Sequence, residues 1–92
     1  MKKPETFLRD RILRALRAER PGFWFVTHGS PLQMSGLPDI VGCWNGRFVG
    51  LEVKVPGQKP TDLQAHRLRE ITSAGGIAGV VTSPEEALRL LI

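Results

Sequence analysis

Hydrophobic residues recur with a helical period near the start of the chain. Between Pro4 and Arg20, apolar residues recur at the spacing of one helix face, three or four positions apart; they are Leu8, Ile12, Ala15 and Leu16. A proline suits the first turn of such a helix, and Pro21-Gly22 ends the pattern. The sequence therefore predicts a first helix from Pro4 to Arg20.

Strand patterns follow this helix. Phe23 to Val26 forms a short apolar run, and Ile40 to Trp44 is joined to Arg47 to Val55 by Asn45-Gly46. An Asn-Gly pair between two such segments is typical of a two-residue hairpin turn. The intervening segment, Thr27 to Pro38, is rich in Gly, Ser and Pro, and predicts a long functional loop.

The last third of the chain predicts two helices around a fourth strand. Thr61 and Gln64 match a capping box for a helix that ends at Gly75-Gly76, Ile77 to Thr82 has the composition of a strand, and Ser83 caps a final short helix. The order αβββαβα predicts an α/β fold, in which a helical crossover allows a mixed sheet. A chain of this length fits one domain spanning residues 1–92.

Two acidic residues become cross-strand neighbours in the predicted hairpin. If Asn45 and Gly46 form the loop, counting outward along the strands places Asp39 opposite Glu52, and alternation places Lys54 on the same face. Like charges that face each other directly across two strands repel each other unless a cation lies between them. Carboxylate oxygens suit a hard cation such as Mg²⁺ or Mn²⁺, and the sequence has no Cys or His cluster suggestive of zinc.

Plainer interpretations exist for these charged residues. Glu52 and Lys54 alone would make an ordinary surface ion pair near a strand end. However, Val41, Cys43 and Phe48 share their face, so we expect that face to be covered and Cys43 to be a small buried apolar group.

Two more polar residues point toward the interior of the predicted fold. Glu5 lies at the end of the apolar stripe of the first helix, where a carboxylate needs a partner. Gln64 shares a helix face with Leu68 and Ile71, so it faces inward, although its capping-box bond with Thr61 is an alternative role.

The charge balance favours a polyanionic partner. The chain carries 13 Lys and Arg against 9 Asp and Glu, a net charge of +4, which favours nucleic acid, although solvated surface charge is an equally good explanation. Arg11, Arg14 and Arg17 form a polar stripe on the first helix, either solvated or in contact with phosphates. The sequence shows neither a signal peptide nor a membrane-length apolar run, so we expect a cytoplasmic protein with no membrane partner.

Pro38-Asp39 followed by Glu52-Val53-Lys54 resembles the signature of the PD-(D/E)XK nuclease superfamily. Glu5, the segment Gly36 to Gly42, the segment Gly46 to Lys54, and Gln64 are together similar to the virus-type replication-repair nuclease domain, VRR-NUC. The resemblance covers nearly the whole chain. It implies a restriction-endonuclease-like αβββαβ core with a mixed sheet, followed here by the short C-terminal helix.

The resemblance also implies a metal-dependent active site. Asp39, Glu52 and the backbone carbonyl of Val53 would bind Mg²⁺ or Mn²⁺, and Glu5 would support the ion through water or a second ion. Lys54 would orient the attacking water, and Gln64 would complete the catalytic set. Where the family often has a basic or amide residue after the first strand, this chain has Thr27-His28-Gly29.

Two further residues are candidates for contacts with DNA. His28 is a candidate phosphate ligand, with an ordinary loop histidine as the alternative, and Lys59 is a further DNA-binding candidate. Stand-alone members of the family resemble junction resolvases, which implies a homodimer acting on four-way (Holliday) junctions, with flap and other branched DNA next. A non-catalytic DNA-binding module and a structural subunit of a larger complex are the rival functions.

Overall fold

The computed structural model describes residues 2–29 and 33–92 of the chain. Its elements are α1 (Pro4–Glu19), β1 (Phe23–Val26), β2 (Ile40–Trp44), β3 (Arg47–Val53), α2 (Asp62–Ser73), β4 (Ile77–Val81) and α3 (Pro84–Leu90). This order confirms the predicted αβββαβα arrangement. The third strand ends two residues earlier than predicted, so Lys54 and Val55 lie just beyond it.

One mixed sheet organises the fold, with the strand order β1-β2-β3-β4. β2 runs antiparallel to both of its neighbours, β1 and β3, whereas β4 runs parallel to β3. Parallel neighbours need a crossover connection, and α2 supplies it. The predicted mixed sheet is therefore confirmed.

The hairpin of β2 and β3 turns at Asn45-Gly46, as predicted. Both residues have positive φ angles, 52° and 76°, which a type I′ turn requires and which Asn and Gly tolerate best. The register pairs Trp44 with Arg47 and Ile40 with Leu51. Asp39 therefore stands opposite Glu52 at the next position outward.

The hydrophobic core lies on one face of the sheet, beneath α1 and α3. Leu8, Ile12 and Leu16 of α1 pack there, which confirms the predicted apolar stripe. The sheet side of this core consists of alternate strand residues, as a period of two requires; they are Trp24, Ile40, Val49, Leu51, Val53, Ile77 and Val81.

The second face of the sheet carries α2, which contacts β3 and β4. The β1–β2 side of this face stays open. Phe48 is half exposed and Cys43 is exposed, so the prediction of a buried Cys43 is wrong. The physical reason is that the packing of α2 over β3 and β4 leaves the outer part of this face uncovered.

Among residues 2–29 and 33–92, none of the helices has both the length and the apolar character required to span a bilayer.

Candidate active site

Asp39 and Glu52 are neighbours across β2 and β3, on the face that carries α2. The backbone N–H of Val53 donates a hydrogen bond of 2.8 Å to Asp39 Oδ2. This bond ties the carboxylate of Asp39 to the strand that bears Glu52. Strand alternation therefore puts both carboxylates on one face, and the hairpin register puts them at the same end of the sheet.

The carboxylate of Glu52 is buried, and one of its two oxygens lacks a hydrogen-bond partner among the described residues. Its side chain is only 1% exposed, and Oε1 is buried with no hydrogen-bond partner among the described residues. Burial raises the pKa of Glu52 to about 7; the neighbouring charge of Asp39 also raises it, whereas Lys54 lowers it. An orphaned buried carboxylate oxygen is costly, and a bound cation would relieve that cost.

Lys54 approaches the same carboxylate from the residue after β3. Its Nζ lies 3.3 Å from Glu52 Oε2, and its side chain is only 12% exposed. The ion pair that the sequence suggested as a plain alternative therefore exists, but it is largely buried rather than solvated. It places the ammonium group beside the two acids.

Thr27, the residue after β1, holds the segment that carries Asp39. Its hydroxyl donates a 2.6 Å hydrogen bond to the carbonyl of Pro38, and its backbone N–H donates to the carbonyl of Asp39 at 2.9 Å. The sequence predicts that Thr27 belongs to the loop, next to a possible substrate contact, and gives no sign that it fixes the position of Asp39. Only the pairing of β1 with β2 brings it to Asp39.

The loop before Asp39 is also anchored to α2. Gly36 has a positive φ of 79°, and a Cβ atom there would lie 2.7 Å from the Cγ atom of Leu63 in α2. Glycine is required because it avoids both the left-handed strain and this collision. Arg67 of α2 donates through Nε to the carbonyl of Ser35 at 3.1 Å. These contacts with α2 fix the position of the loop that leads into Asp39.

Gln64 is part of the cap of α2 and also lies beside Asp39. Its Oε1 accepts from the backbone N–H of Thr61 at 2.9 Å, and its own N–H donates to the Thr61 hydroxyl at 3.2 Å, so the capping box is confirmed. Gln64 also lines a cleft of about 310 Å³ together with Asp39 and Thr27. Because the cap uses Oε1, the amide nitrogen is the end that Gln64 can present to the cleft.

Glu5 lies in the first turn of α1 and is partly buried. The residues described by the structure contain no group of three or more His, Cys, Asp or Glu side chains arranged to hold a metal ion. Glu5 therefore does not join Asp39 and Glu52 as a third direct ligand. A role through water or a second ion stays a prediction.

The arginines of α1 are not gathered at the two carboxylates. Arg11, Arg14 and Arg17 are exposed, but α1 packs on the core face of the sheet, opposite the face of Asp39 and Glu52. Arg17 also donates to the carbonyl of Trp24 at 3.2 Å. The sequence could not show this, because a helical stripe does not reveal which sheet face the helix covers.

His28 and Lys59, the other two DNA-binding candidates, are exposed. His28 follows Thr27 directly, at the end of β1 nearest Asp39, and Lys59 lies in the connection between β3 and α2. Their contacts with DNA stay predictions.

The residues present fit a hard divalent cation. Two carboxylates face each other across a strand pair, one of them has an unpartnered buried oxygen, and the carbonyl of Val53 lies on the same strand as Glu52. Oxygen donors of this kind suit Mg²⁺ or Mn²⁺. A cation there would offset the repulsion between Asp39 and Glu52 and satisfy the orphaned oxygen.

Comparison with known proteins addresses the fold. A solved structure described as a VRR_NUC domain superimposes with a TM-score of 0.78 and 21% sequence identity, covering 98% of this chain and 96% of that one. No family model matches the sequence, and no curated protein matches it. At this level of identity the likeness establishes the architecture. The chain therefore has the fold of a VRR_NUC domain, as its motifs predict.

Proposed function

We propose that this protein is a divalent-metal-dependent DNA endonuclease that hydrolyses phosphodiester bonds. The observation that carries the proposal is the carboxylate of Glu52, which is buried, lacks a partner at Oε1 and faces a second carboxylate, Asp39. A buried group of this kind costs free energy unless it is paired, and functional sites are where such costs are retained. The VRR_NUC fold supports the same chemistry.

Asp39, Glu52 and the backbone carbonyl of Val53 would hold the cation, and Glu5 would support it through water or a second ion. When bound, a cation of this class stabilises negative charge on the phosphoryl group and makes a bound water more acidic. The metal-binding residues are positioned by the chain itself, because the N–H of Val53 fixes Asp39 and the hairpin register fixes Glu52.

Lys54 would act at the reacting phosphate. Its ammonium group lies beside Glu52, so it can orient the attacking water and stabilise the negative charge that develops as the water oxygen bonds to phosphorus and the ester P–O bond breaks. Gln64 lines the cleft with Asp39 and can donate its amide to the same phosphate. His28 and Lys59 would contact the DNA backbone.

Within this class we favour four-way junctions as the substrate and a homodimer as the active form. Residues 2–29 and 33–92 form one such site per chain, and cutting two strands of a junction requires two. The net charge of +4 supports binding to a polyanion. Flap DNA is the alternative substrate.

A cleavage assay tests the proposed chemistry. A labelled four-way junction is incubated with the protein in Mg²⁺, in Mn²⁺ and in a chelator. We expect cleavage only with the metal, and its loss in Glu52→Gln and Lys54→Ala. The matched controls are Glu19→Gln and Lys3→Ala, which change exposed residues of the same type.

If the protein cleaves the junction under none of the metal conditions, the proposed nuclease activity is refuted. If the junction is still bound, and that binding falls with salt but is unchanged in Lys54→Ala, the protein is a DNA-binding module with a nuclease fold. Parallel reactions with a flap and a linear duplex of the same sequence test the substrate preference. Faster cleavage of the flap would overturn the preference for junctions.

A further inference from the structure

The net positive charge of the protein lies in one short stretch of the chain. Residues 2–20 contain seven Lys and Arg against three Asp and Glu, whereas residues 21–92 contain six of each kind. The whole excess of +4 is therefore carried by α1 and the residues that flank it. Such a one-sided distribution of charge is typical of a surface that binds a polyanion.

The outer side of α1 presents this charge to solvent. At 3.6 residues per turn, Phe7, Arg11 and Arg14 lie opposite the apolar stripe that packs in the core. All three side chains are exposed, and Arg17, which is also exposed, continues the row toward the end of the helix. We call Arg11, Arg14 and Arg17 the arginine ridge. It faces away from the sheet.

Two guanidinium groups of the arginine ridge have no partner among the described residues. Within residues 2–29 and 33–92, the ion pairs and hydrogen bonds of the α1 arginines involve Arg9, Arg17 and Arg20 but neither Arg11 nor Arg14. Arg17 uses one of its five N–H groups in this way. The arginine ridge therefore keeps most of its hydrogen-bond donors for a ligand.

The acidic residue beside the arginine ridge is already paired. Asp10 lines a shallow hollow of about 340 Å³ together with Arg14 and Arg17. Its carboxylate accepts from Lys2 at 2.7 Å and from Arg9 at 3.5 Å. The hydrogen bond from Lys2 lowers the pKa of Asp10, so the carboxylate stays charged and paired. Two cations therefore offset its repulsion of a phosphate in the hollow.

We propose that the arginine ridge binds the phosphate backbone of a second arm of branched DNA, while the proposed active site holds the arm that is cut. The arginine ridge rises about 9 Å along the helix axis, and a DNA strand carries a phosphate about every 3.4 Å of its own axis. Its length therefore matches two or three successive phosphates. Guanidinium groups suit phosphates because they can donate two parallel hydrogen bonds. The assignment to a second arm rests on the proposed nuclease function, whereas DNA binding by the arginine ridge does not.

The position of the arginine ridge favours branched DNA over one straight duplex. α1 packs on the core face of the sheet, whereas Asp39 and Glu52 lie on the face that carries α2. The sheet and a helix about 10 Å thick therefore separate the arginine ridge from the two carboxylates. DNA is stiff over about 150 base pairs, so bending one duplex around a protein that measures 30 × 30 × 26 Å is costly. The arms of a branched DNA diverge at the branch point without that cost.

The chemistry of α1 also favours DNA over a lipid surface. A helix that binds a membrane surface buries its apolar face at the boundary of the acyl chains. The apolar stripe of α1 packs in the protein core instead. Among the described residues of α1, Phe7 is the one large apolar side chain that is exposed. A partner on this side of the helix therefore contacts mainly guanidinium groups, which suits phosphates.

Binding assays with two DNAs test the arginine ridge. A four-way junction and a linear duplex with the sequence of two of its arms are titrated in a Lys54→Ala background, which keeps the DNA intact. Arg11→Ala combined with Arg14→Ala should raise the dissociation constant of the junction roughly 10- to 60-fold at about 0.1 M salt. The linear duplex should lose much less, because it can still occupy the other surface. Arg69→Ala combined with Arg89→Ala is the matched control, since it removes the same charge from exposed positions on α2 and α3.

Salt dependence and a conservative variant give independent checks. Each phosphate contact contributes about 0.9 to the slope of log K against log salt, so the double alanine variant should lose about 2 units of slope with the junction. Arg11→Lys combined with Arg14→Lys should keep most of the affinity, because it keeps both charges. Alanine favours helix, and far-UV circular dichroism establishes that each variant is folded.

The cleavage rate separates the arginine ridge from the nuclease. With Lys54 intact, the double alanine variant should cut the linear duplex at the wild-type rate, since it leaves Asp39 and Glu52 unchanged. A protein that cuts no DNA but still loses junction binding in this variant would refute the nuclease and retain the arginine ridge as a DNA-binding surface.

Three results would overturn the inference. One is a junction affinity that falls no more in the double alanine variant than in the control that removes Arg69 and Arg89. Another is an equal loss of affinity for both DNAs, because the arginine ridge and the active site would then bind one straight duplex. The third is tighter binding of the wild type to vesicles of anionic lipid than to the junction, with loss of that binding in the same variant, which would assign the arginine ridge to a membrane surface.

Discussion

The buried carboxylate of Glu52 makes the stability of the metal-free protein depend on pH. Its pKa rises from 4.5 to about 7 on folding, chiefly because burial disfavours the charged form. Between these values the folded protein holds a proton that the unfolded chain has lost. The contribution of this group to stability is therefore fully present below about pH 4.5 and is lost as the pH rises through about 7.

The size of this effect follows from the shift. Each pKa unit corresponds to about 1.4 kcal/mol, so raising the pH across the window should lower the free energy of unfolding by about 3 kcal/mol. For a domain of this size, that corresponds to a fall in Tm of roughly 10–25 °C. Glu52→Gln removes the titrating group and leaves a neutral side chain of similar shape, so its stability should not fall in this way.

Urea unfolding in the presence of a chelator measures the difference. At about pH 8 the wild type should be less stable than Glu52→Gln, whereas at about pH 5 the advantage of the variant should be largely lost. Glu19→Gln, which removes an exposed carboxylate, should follow the wild type at both values. Adding Mn²⁺ at the higher pH should stabilise the wild type, because a ligand that binds only the folded state raises its stability, and should have much less effect on Glu52→Gln.

Parallel pH profiles for the wild type and Glu52→Gln would refute this reasoning. They would mean that Glu52 titrates near its ordinary value, and that its carboxylate is paired or hydrated in solution. Equal stabilisation of both proteins by Mn²⁺ would show that the ion binds elsewhere.

Lys54, Gly36 and Thr27 all lie close to Asp39 or to the loop that leads into it, and each can be tested by substitution. Lys54→Ala should lower the rate of DNA cleavage about 10²–10³-fold, with little change in DNA binding; an unchanged rate in single-turnover kinetics would exclude its role at the phosphate. Gly36→Ala should lower the free energy of unfolding by about 1–3 kcal/mol, because it strains a positive φ and collides with α2. Gly29→Ala, where a Cβ atom has open space, is its control, and equal urea midpoints would contradict the expectation. Thr27→Val should cost about 1 kcal/mol by removing the hydrogen bond to Pro38, and should also slow cleavage by loosening Asp39; cleavage at the wild-type rate would limit Thr27 to a structural role.

The helices and strands, and the hairpin that carries the site, could be predicted from the amino-acid sequence alone. Asn45-Gly46 set the turn, and the two-residue period of the strands then set Asp39 opposite Glu52. These features could be predicted because turn type, strand alternation and helix capping depend on residues close together in the chain. For the same reason the capping box of Thr61 and Gln64 was visible before the fold was known.

Which surfaces are covered, and which groups each charged side chain contacts, depends on how the helices pack on the sheet. The burial of Glu52 and Lys54, the exposure of Cys43 and Phe48, and the position of the α1 arginines on the opposite side all depend on where the helices pack. Packing joins residues that are far apart in the chain, so no local period encodes it. Thr27 is the clearest example, because it donates hydrogen bonds to the carbonyls of Pro38 and Asp39 only when β1 pairs with β2.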